Sequence, residues 1–166
     1  LFGKASIRRE ETVVGNLPAK AQELLFFLII HHNRVHTRER LAGQLWGEAN
    51  DAQARKYMRQ TLWHLQAGLG EDAATAQPLL LLDNQWLQFN RAASATVDID
   101  QFERFFEAVR TLSDDGISAE QAALMLGAIR LYEAELLQGW YLDWCLLARE
   151  RFHAMYLLMV DKLMHH

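Results

Sequence analysis

The sequence predicts a mainly α-helical protein with short β-hairpins, arranged as two domains. Three observations carry this reading. Through most of the chain apolar residues recur at three- and four-residue steps, the spacing of helices that bury one face. Two segments, 5–14 and 79–89, carry instead the short alternating, turn-punctuated pattern of hairpins. A small, polar stretch at 91–96 then separates the region holding both hairpins from one in which every signal is helical.

The elements follow in order. Residues 5–9 and 12–14 alternate in bursts, so a first hairpin turns near Glu10 and Glu11. Pro18 suits the first turn of a helix, where its missing N–H is not needed. Ala21, Leu24, Leu25, Leu28 and Ile29 carry that helix to about His31 and mark it as buried. After a break at Asn33 and Arg34, Thr37 can cap a second helix bearing Leu41, Leu45 and Trp46 and closed by Gly47. Asp51 can cap a third, whose Met58, Leu62, Leu65 and Leu69 form one stripe ending at Gly70. A polar loop over 71–77 leads to strands at 79–82 and 86–89. Their turn falls at Asp83 and Asn84, and Asn tolerates the left-handed backbone such a turn uses. Strand, three helices and hairpin in this order describe a winged helix-turn-helix, expected over 1–92.

Residues 97–166 are expected to form an all-α domain of helical hairpins. Asp98 and Gln101 have capping-box spacing ahead of Phe102, Phe105, Phe106, Val109 and Leu112, and Ser118 with Gln121 repeats the device. The second of these helices carries Ala122, Met125, Ile129 and Tyr132, and a third carries Phe152, Met155, Met159 and Leu163. One or two tetratricopeptide-like units fit that pattern. The chain starts at Leu1 and its helical pattern still runs at Met164, so it reads as a fragment truncated at its C-terminal end. His165 and His166 fit native residues and a purification tag equally well.

Composition bounds the class. With 51% hydrophobic and 23% charged residues in 166, wholesale disorder is excluded. A chain of this length buries enough apolar surface to fold without disulfides or a structural metal. The single Cys145 cannot bridge internally, and a buried free thiol fits a reducing cytoplasm. The longest apolar run, 24–30, has seven residues, far short of the roughly 20 that span a bilayer. No membrane segment or targeting signal is therefore expected.

A net charge of -4 argues against a nucleic-acid partner until it is divided. Residues 1–70 hold ten bases and six acids, net +4, and residues 71–166 hold seven bases and fifteen acids, net -8. A basic N-terminal part joined to an acidic C-terminal part suits a nucleic-acid reader joined to an interaction module. On the third helix, projection at ~100° per residue sets Gln53, Lys56, Gln60, Trp63 and His64 opposite the Met58–Leu69 stripe, with Arg59 at their flank. Lys and Arg neutralise phosphates or pair with guanine edges, and Gln can hydrogen-bond adenine. An ordinary solvated face has the same composition. An exposed Trp63 suits a thymine methyl or a sugar, and equally packing against the second domain or another subunit.

Residues 24–70, with LLFFLIIHHNRVHTRERLAGQLWGE and ARKYMRQTLWHLQAGLG, resemble the winged-helix domain of SARP-type bacterial transcriptional activators. VDIDQFERF at 97–105, AIRLYEAELLQGWYLDW at 128–144 and RERFHAMYLLMVDKL at 149–163 resemble their bacterial transcriptional activator domain. The resemblance implies an OmpR/PhoB-like winged helix whose third helix enters the major groove of double-stranded DNA, often at direct repeats. It places Lys56, Arg59, Gln60, Trp63 and His64 on the reading face, and Arg38 and the surroundings of Asn84 at the backbone. It also implies a helical domain for homo-oligomerisation or for contact with RNA polymerase or a regulatory domain of the same chain. Two departures stand out: arginines common in the family near His64 and Gln66 are missing, and the wing turn lacks glycine and basic residues. Modest affinity per copy, and reliance on dimers or tandem sites, is the expected consequence.

Other chemistry is weakly signalled. His31, His32 and His36 straddle a helix end and a turn and need not converge on a metal. The glycines form no phosphate-cradling loop, Asp114 and Asp115 read as loop residues, and Cys145 as core. No nucleophile, base and orienting group stand at suggestive spacing, so neither an enzyme nor a cofactor is expected. Trp140, Tyr141 and Trp144 form a cluster that suits either a packing corner or a groove for an effector or partner helix. The leading expectation is a DNA-binding transcriptional activator. The alternative is a protein-interaction or signal-sensing module whose winged helix contacts protein.

Overall fold

The computed structural model describes residues 1–9, 12–14, 17–70, 77–111 and 117–164. The protein is mainly helical, with a small three-stranded sheet and a separate strand pair. Its described residues divide into two compact units, one spanning 7–95 and the other joining 1–6 to 96–166. The junction falls within the stretch expected from its polarity. Residues 1–6 lie with the helical unit and not, as expected, with the first domain.

In the unit of residues 7–95, β1 (Arg8–Arg9) and β2 (Thr12–Val13) pair antiparallel. The turn expected at Glu10 and Glu11 lies outside the described residues, as does the loop at 71–76. Helix α1 (Ala19–Ile30) buries Ala21 and every residue from Glu23 to Ile30, so it runs through the core instead of along its surface. Pro18 precedes the first turn in an extended conformation, φ -55° and ψ 149°, and its carbonyl accepts from Ala21 and Gln22. It is the N-cap, one position ahead of the first-turn place expected for it. Glu23, buried on α1, is ion-paired at 2.8 Å with Lys20, whose ammonium also donates to the Leu45 carbonyl at 2.9 Å.

A two-residue strand, β3 (His36–Thr37), follows and was not legible in sequence, because two residues show no period. Thr37 also caps α2 (Arg38–Leu45), accepting from the Arg40 amide at 3.3 Å. The helix stops at Leu45, with Trp46 at its C-cap in place of the expected closure at Gly47. Helix α3 (Asp51–Leu69) is capped by Asn50, whose Oδ1 accepts from the Gln53 amide at 2.9 Å. Asp51, the expected cap, is instead the first helical residue, where its charge still faces the positive end of the helix dipole. Ala54, Met58, Thr61, Leu62 and Leu65 are its buried stripe.

Gly70 ends α3 at φ 66°, the left-handed cap that L-residues adopt only with strain. Gly70→Ala should therefore destabilise the protein by about 1 kcal/mol and Gly70→Asn by less. Urea denaturation of the two variants checks this, and equal midpoints for Ala and Gly would overturn it.

Strands β4 (Leu80–Leu82) and β5 (Trp86–Phe89) form the second hairpin, and β5 lies between β3 and β4 with Leu87 opposite both His36 and Leu82. Asn84 does not adopt the expected left-handed backbone, Leu137 being the residue other than glycine that does so among those described. The turn is closed by a side chain instead: Asp83 Oδ1 accepts from the Gln85 amide at 2.7 Å and the Trp86 amide at 3.0 Å. The Gln85 amide bond, above all, holds the Asp83 carboxyl below its usual pKa.

In the other unit, α4 (Asp98–Val109), α5 (Ala119–Leu131) and α6 (Asp143–Met164) pack on one another. Phe102, Val109, Met125, Phe152 and Met159 are buried where the periodicity places them, and Phe105, Phe106, Met155 and Leu163 are half-buried. Leu112, Asp114, Asp115, His165 and His166 lie outside the described residues. The Ser118–Gln121 capping box forms. The one expected at Asp98 and Gln101 does not: Val97 is the N-cap, and Asp98 accepts at Oδ2 from the main-chain nitrogens of Leu1 and Phe2. Phe2 inserts among Phe102, Tyr132 and Phe152, and residues 1–3 bond to the main chain of Glu135, Leu137 and Gln138. A side chain that looks like a helix cap in one dimension is thus the anchor of a distant segment, residues 1–2.

Candidate nucleic-acid interface

The buried stripe of α3 fixes which residues face outward. Gln53, Lys56, Arg59, Gln60, Trp63 and His64 are all exposed, and no acid occurs from Ala52 to the end of the helix. This matters because the charge advantage is local. Divided at the structural junction, residues 7–95 carry ten bases and nine acids, net +1, and the other unit is net -5. What sets α3 apart is its freedom from acids after Asp51, since the unit as a whole is nearly neutral.

Within that face the side chains are not equally available. Gln53 Nε2 donates to the Tyr57 hydroxyl at 2.9 Å, so bidentate contact with an adenine first requires that bond to open. Tyr57 in turn leans on Trp46, with ring centroids 6.1 Å apart. Lys56 and Gln60 project from the centre of the face, and the Trp63 and His64 rings meet edge-on at 4.9 Å.

Beside this face α2, the start of α3 and the hairpin turn enclose a groove of about 860 Å³. Arg38, Arg55, Arg59, Trp46, Asn84 and Gln85 line it, together with the acids Glu39 and Asp51. The fold thereby brings Arg38, Arg59 and Asn84 together, three candidates from separate stretches of sequence. Arg55, Trp46 and Gln85 join them with no signal in sequence, because only the hairpin's return past α2 makes them neighbours. The Arg38 amide donates to the Gln85 carbonyl at 2.8 Å, so the hairpin tip ends level with the start of α2. The guanidinium Nε of Arg38 is buried with no hydrogen-bond partner among the described residues. The tip itself offers Asp83, Asn84 and Gln85 and no base.

The three histidines after α1 are structural ties. His31 Nδ1 meets the Phe27 carbonyl at 2.9 Å, His32 Nδ1 that of Ile29 at 2.9 Å, and His36 Nε2 that of His31 at 3.2 Å. Each of these carbonyls also accepts a main-chain amide, from His31, His32 and Arg34 respectively, so the rings add a second bond at the end of α1 and in the turn after it. Among the described residues no group of three His, Cys, Asp or Glu side chains is placed to hold a metal ion.

His36 is 3% exposed, and burial holds its pKa below the usual 6.5, against the opposing pull of its bond to the His31 carbonyl. Arg34 and Arg40 add to the lowering. A histidine kept neutral in the fold refuses a proton that the unfolded chain accepts below about pH 6.5. Its contribution is complete above that value and is lost as pH falls through it. The melting temperature should therefore drop more between about pH 7.5 and 5.5 in the natural protein than in His36→Gln. Parallel curves for the two would contradict this.

In the helical unit Trp140 and Trp144 are half-buried, whereas Tyr141 is 76% exposed and adjoins the exposed Leu142, Leu146 and Leu147. The cluster is thus part corner and part open apolar surface. Cys145 is buried. Among the described residues no helix is long and apolar enough to cross a membrane.

No family model matches the chain, and no curated protein or solved structure matches it.

Proposed function

We propose that this protein is a sequence-specific regulator of transcription, an activator that binds double-stranded DNA in the bacterial cytoplasm. In this reading residues 7–95 are a winged helix-turn-helix, and the helical unit is a tetratricopeptide-like activator domain of the SARP type. The observation that carries it is the acid-free, exposed face of α3, bearing Lys56, Arg59, Gln60, Trp63 and His64 opposite a continuous apolar stripe. A helix of this kind fits the major groove, with amide and cationic side chains directed at base edges and phosphates. The order β3-β5-β4, with the hairpin returning beside α2, supports the winged arrangement.

The hairpin contributes little charge, since its tip is short and acidic. Phosphate contact on that side falls to Arg38, with Asn84 and Gln85 as neutral donors. A small cationic footprint means weak binding by one copy, so two copies on repeated sites supply the working affinity. The exposed apolar surface around Tyr141 and Leu147 suits the partner in that assembly, whether a second copy, RNA polymerase or a further domain. The reading calls for neither catalysis nor a cofactor.

Fluorescence anisotropy with labelled duplexes across a salt series tests it. The logarithm of the binding constant should fall linearly with log salt, with a slope of about -0.9 per phosphate neutralised. A folded protein that binds no duplex at low salt would return the α3 face to the competing role, contact with protein.

A further inference from the structure

Trp63 lies on the centre line of the α3 face, one turn beyond Gln60 and two beyond Lys56. It is 65% exposed, and its Nε1–H makes no hydrogen bond among the described residues. His64 stands edge-on to its ring. From Lys56 to Trp63 the helix rises about 10 Å, roughly three base-pair steps. An indole therefore occupies a position preceded along the same face by the polar Lys56, Arg59 and Gln60.

An indole offers apolar carbon next to one N–H donor, and no acceptor. In the major groove thymine alone presents the complementary pair, a methyl group beside the acceptor O4. Cytosine presents a donor at that point even when methylated, and the purines carry no methyl group. We propose that Trp63 is a thymine-reading residue: Nε1–H donates to O4, and the adjoining carbon edge covers the 5-methyl group. His64, against one side of the ring, is a positioning residue that limits its rotamers. This inference rests on the proposed role of α3 in DNA and specifies what that helix reads.

The test uses the full chain and a duplex it selects from a pool with a random core. Each thymine of that duplex is replaced in turn by deoxyuridine, which removes only the methyl group, or its pair by 5-methylcytosine with guanine, which keeps the methyl but puts an amine at O4. At one position per bound copy deoxyuridine should weaken binding about fourfold, the value of one buried carbon. At the same position 5-methylcytosine should weaken it about tenfold or more. Trp63→Ala should erase the deoxyuridine effect there, while Trp63→Phe keeps it and loses the discrimination against 5-methylcytosine. Unchanged unfolding midpoints confirm that these surface variants fold.

The proposal is overturned if no thymine shows the deoxyuridine effect, or if Trp63→Ala retains it. Salt-dependent binding that survives such a result leaves the DNA-reading role of α3 standing. Failure to select any duplex removes both. Loss of self-association in Trp63→Ala, with thymine recognition unaltered, assigns the indole to a protein contact and also overturns the proposal.

Discussion

Replacing Lys56 and Arg59 by alanine should weaken DNA binding more than any other pair of surface substitutions in this protein. The expected loss is about 1–3 kcal/mol for a residue that pairs with a guanine edge, and a uniform weakening across sequences for one that meets a phosphate. The two cases separate by salt. A phosphate contact removed reduces the slope of log affinity against log salt by about 1, whereas a base contact removed leaves the slope and relaxes the preference at one base pair. Both side chains are exposed on a helix whose buried stripe they do not touch, so the variants should unfold with the natural midpoint. The effect is large because so few cations share the task. Arg38 and Arg55 flank the face in the groove, the hairpin tip has no base, and the unit as a whole is nearly neutral. Affinity and slope unchanged in the double variant would remove α3 from any DNA interface.

Arg149→Ala should produce the largest loss of stability among single substitutions of a charged residue. Nε of Arg149 donates to the Leu136 carbonyl at 3.0 Å, and Nη2 donates to those of Leu137 and Trp140, each at 3.0 Å. Glu135 lies 3.5 Å from Nη1. The segment so held is an unusual one: Leu137 is buried at φ 50°, a left-handed conformation that a leucine adopts only when its surroundings impose it. The same segment receives residues 1–3 through main-chain bonds and an isolated antiparallel bridge between Phe2 and Leu136. Truncation removes the guanidinium from the Leu136 and Trp140 carbonyls and leaves that of Leu137 with the Trp140 amide, a cost on the order of 3 kcal/mol against a total stability of about 5–15. Lysine should not rescue it, because one ammonium cannot reproduce a planar fork aimed at three acceptors. Urea denaturation followed by helicity gives the measurement. A midpoint within error of the natural protein would mean that the loop is held by Leu136 and Leu137 burial alone.

Neither prediction is equally legible in sequence. The α3 face was, because a helix repeats every 3.6 residues and the Met58, Leu62 and Leu65 stripe fixes its opposite side without reference to the rest of the chain. Thr37 and the Ser118–Gln121 box were legible for a related reason, since capping is a bond between residues three apart. Asp98 shows where this local logic fails. Its spacing to Gln101 suits a cap, yet its carboxylate goes to Leu1 and Phe2, nearly a hundred positions away in the chain. Asn84 fails similarly, because an Asp83 side chain closes the turn and no left-handed residue is required.

Sequence by itself determined the helical content, the hairpins, the junction near residue 95 and the composition of the α3 face. These rest on periodicity, on turn chemistry and on contacts between residues close in the chain. Tertiary structure decided what depends on pairing across distance. It set β5 between β3 and β4, drew Arg38, Arg55, Arg59 and Asn84 around one groove, and assigned residues 1–6 to the helical unit. It also made Arg149 the fastening of the loop around the buried Leu136 and Leu137, which an arginine on an amphipathic helix does not announce. The physical reason is common to all of these. Burial supplies most of the folding free energy without direction, and the partners of polar groups are settled only once burial has brought distant segments together.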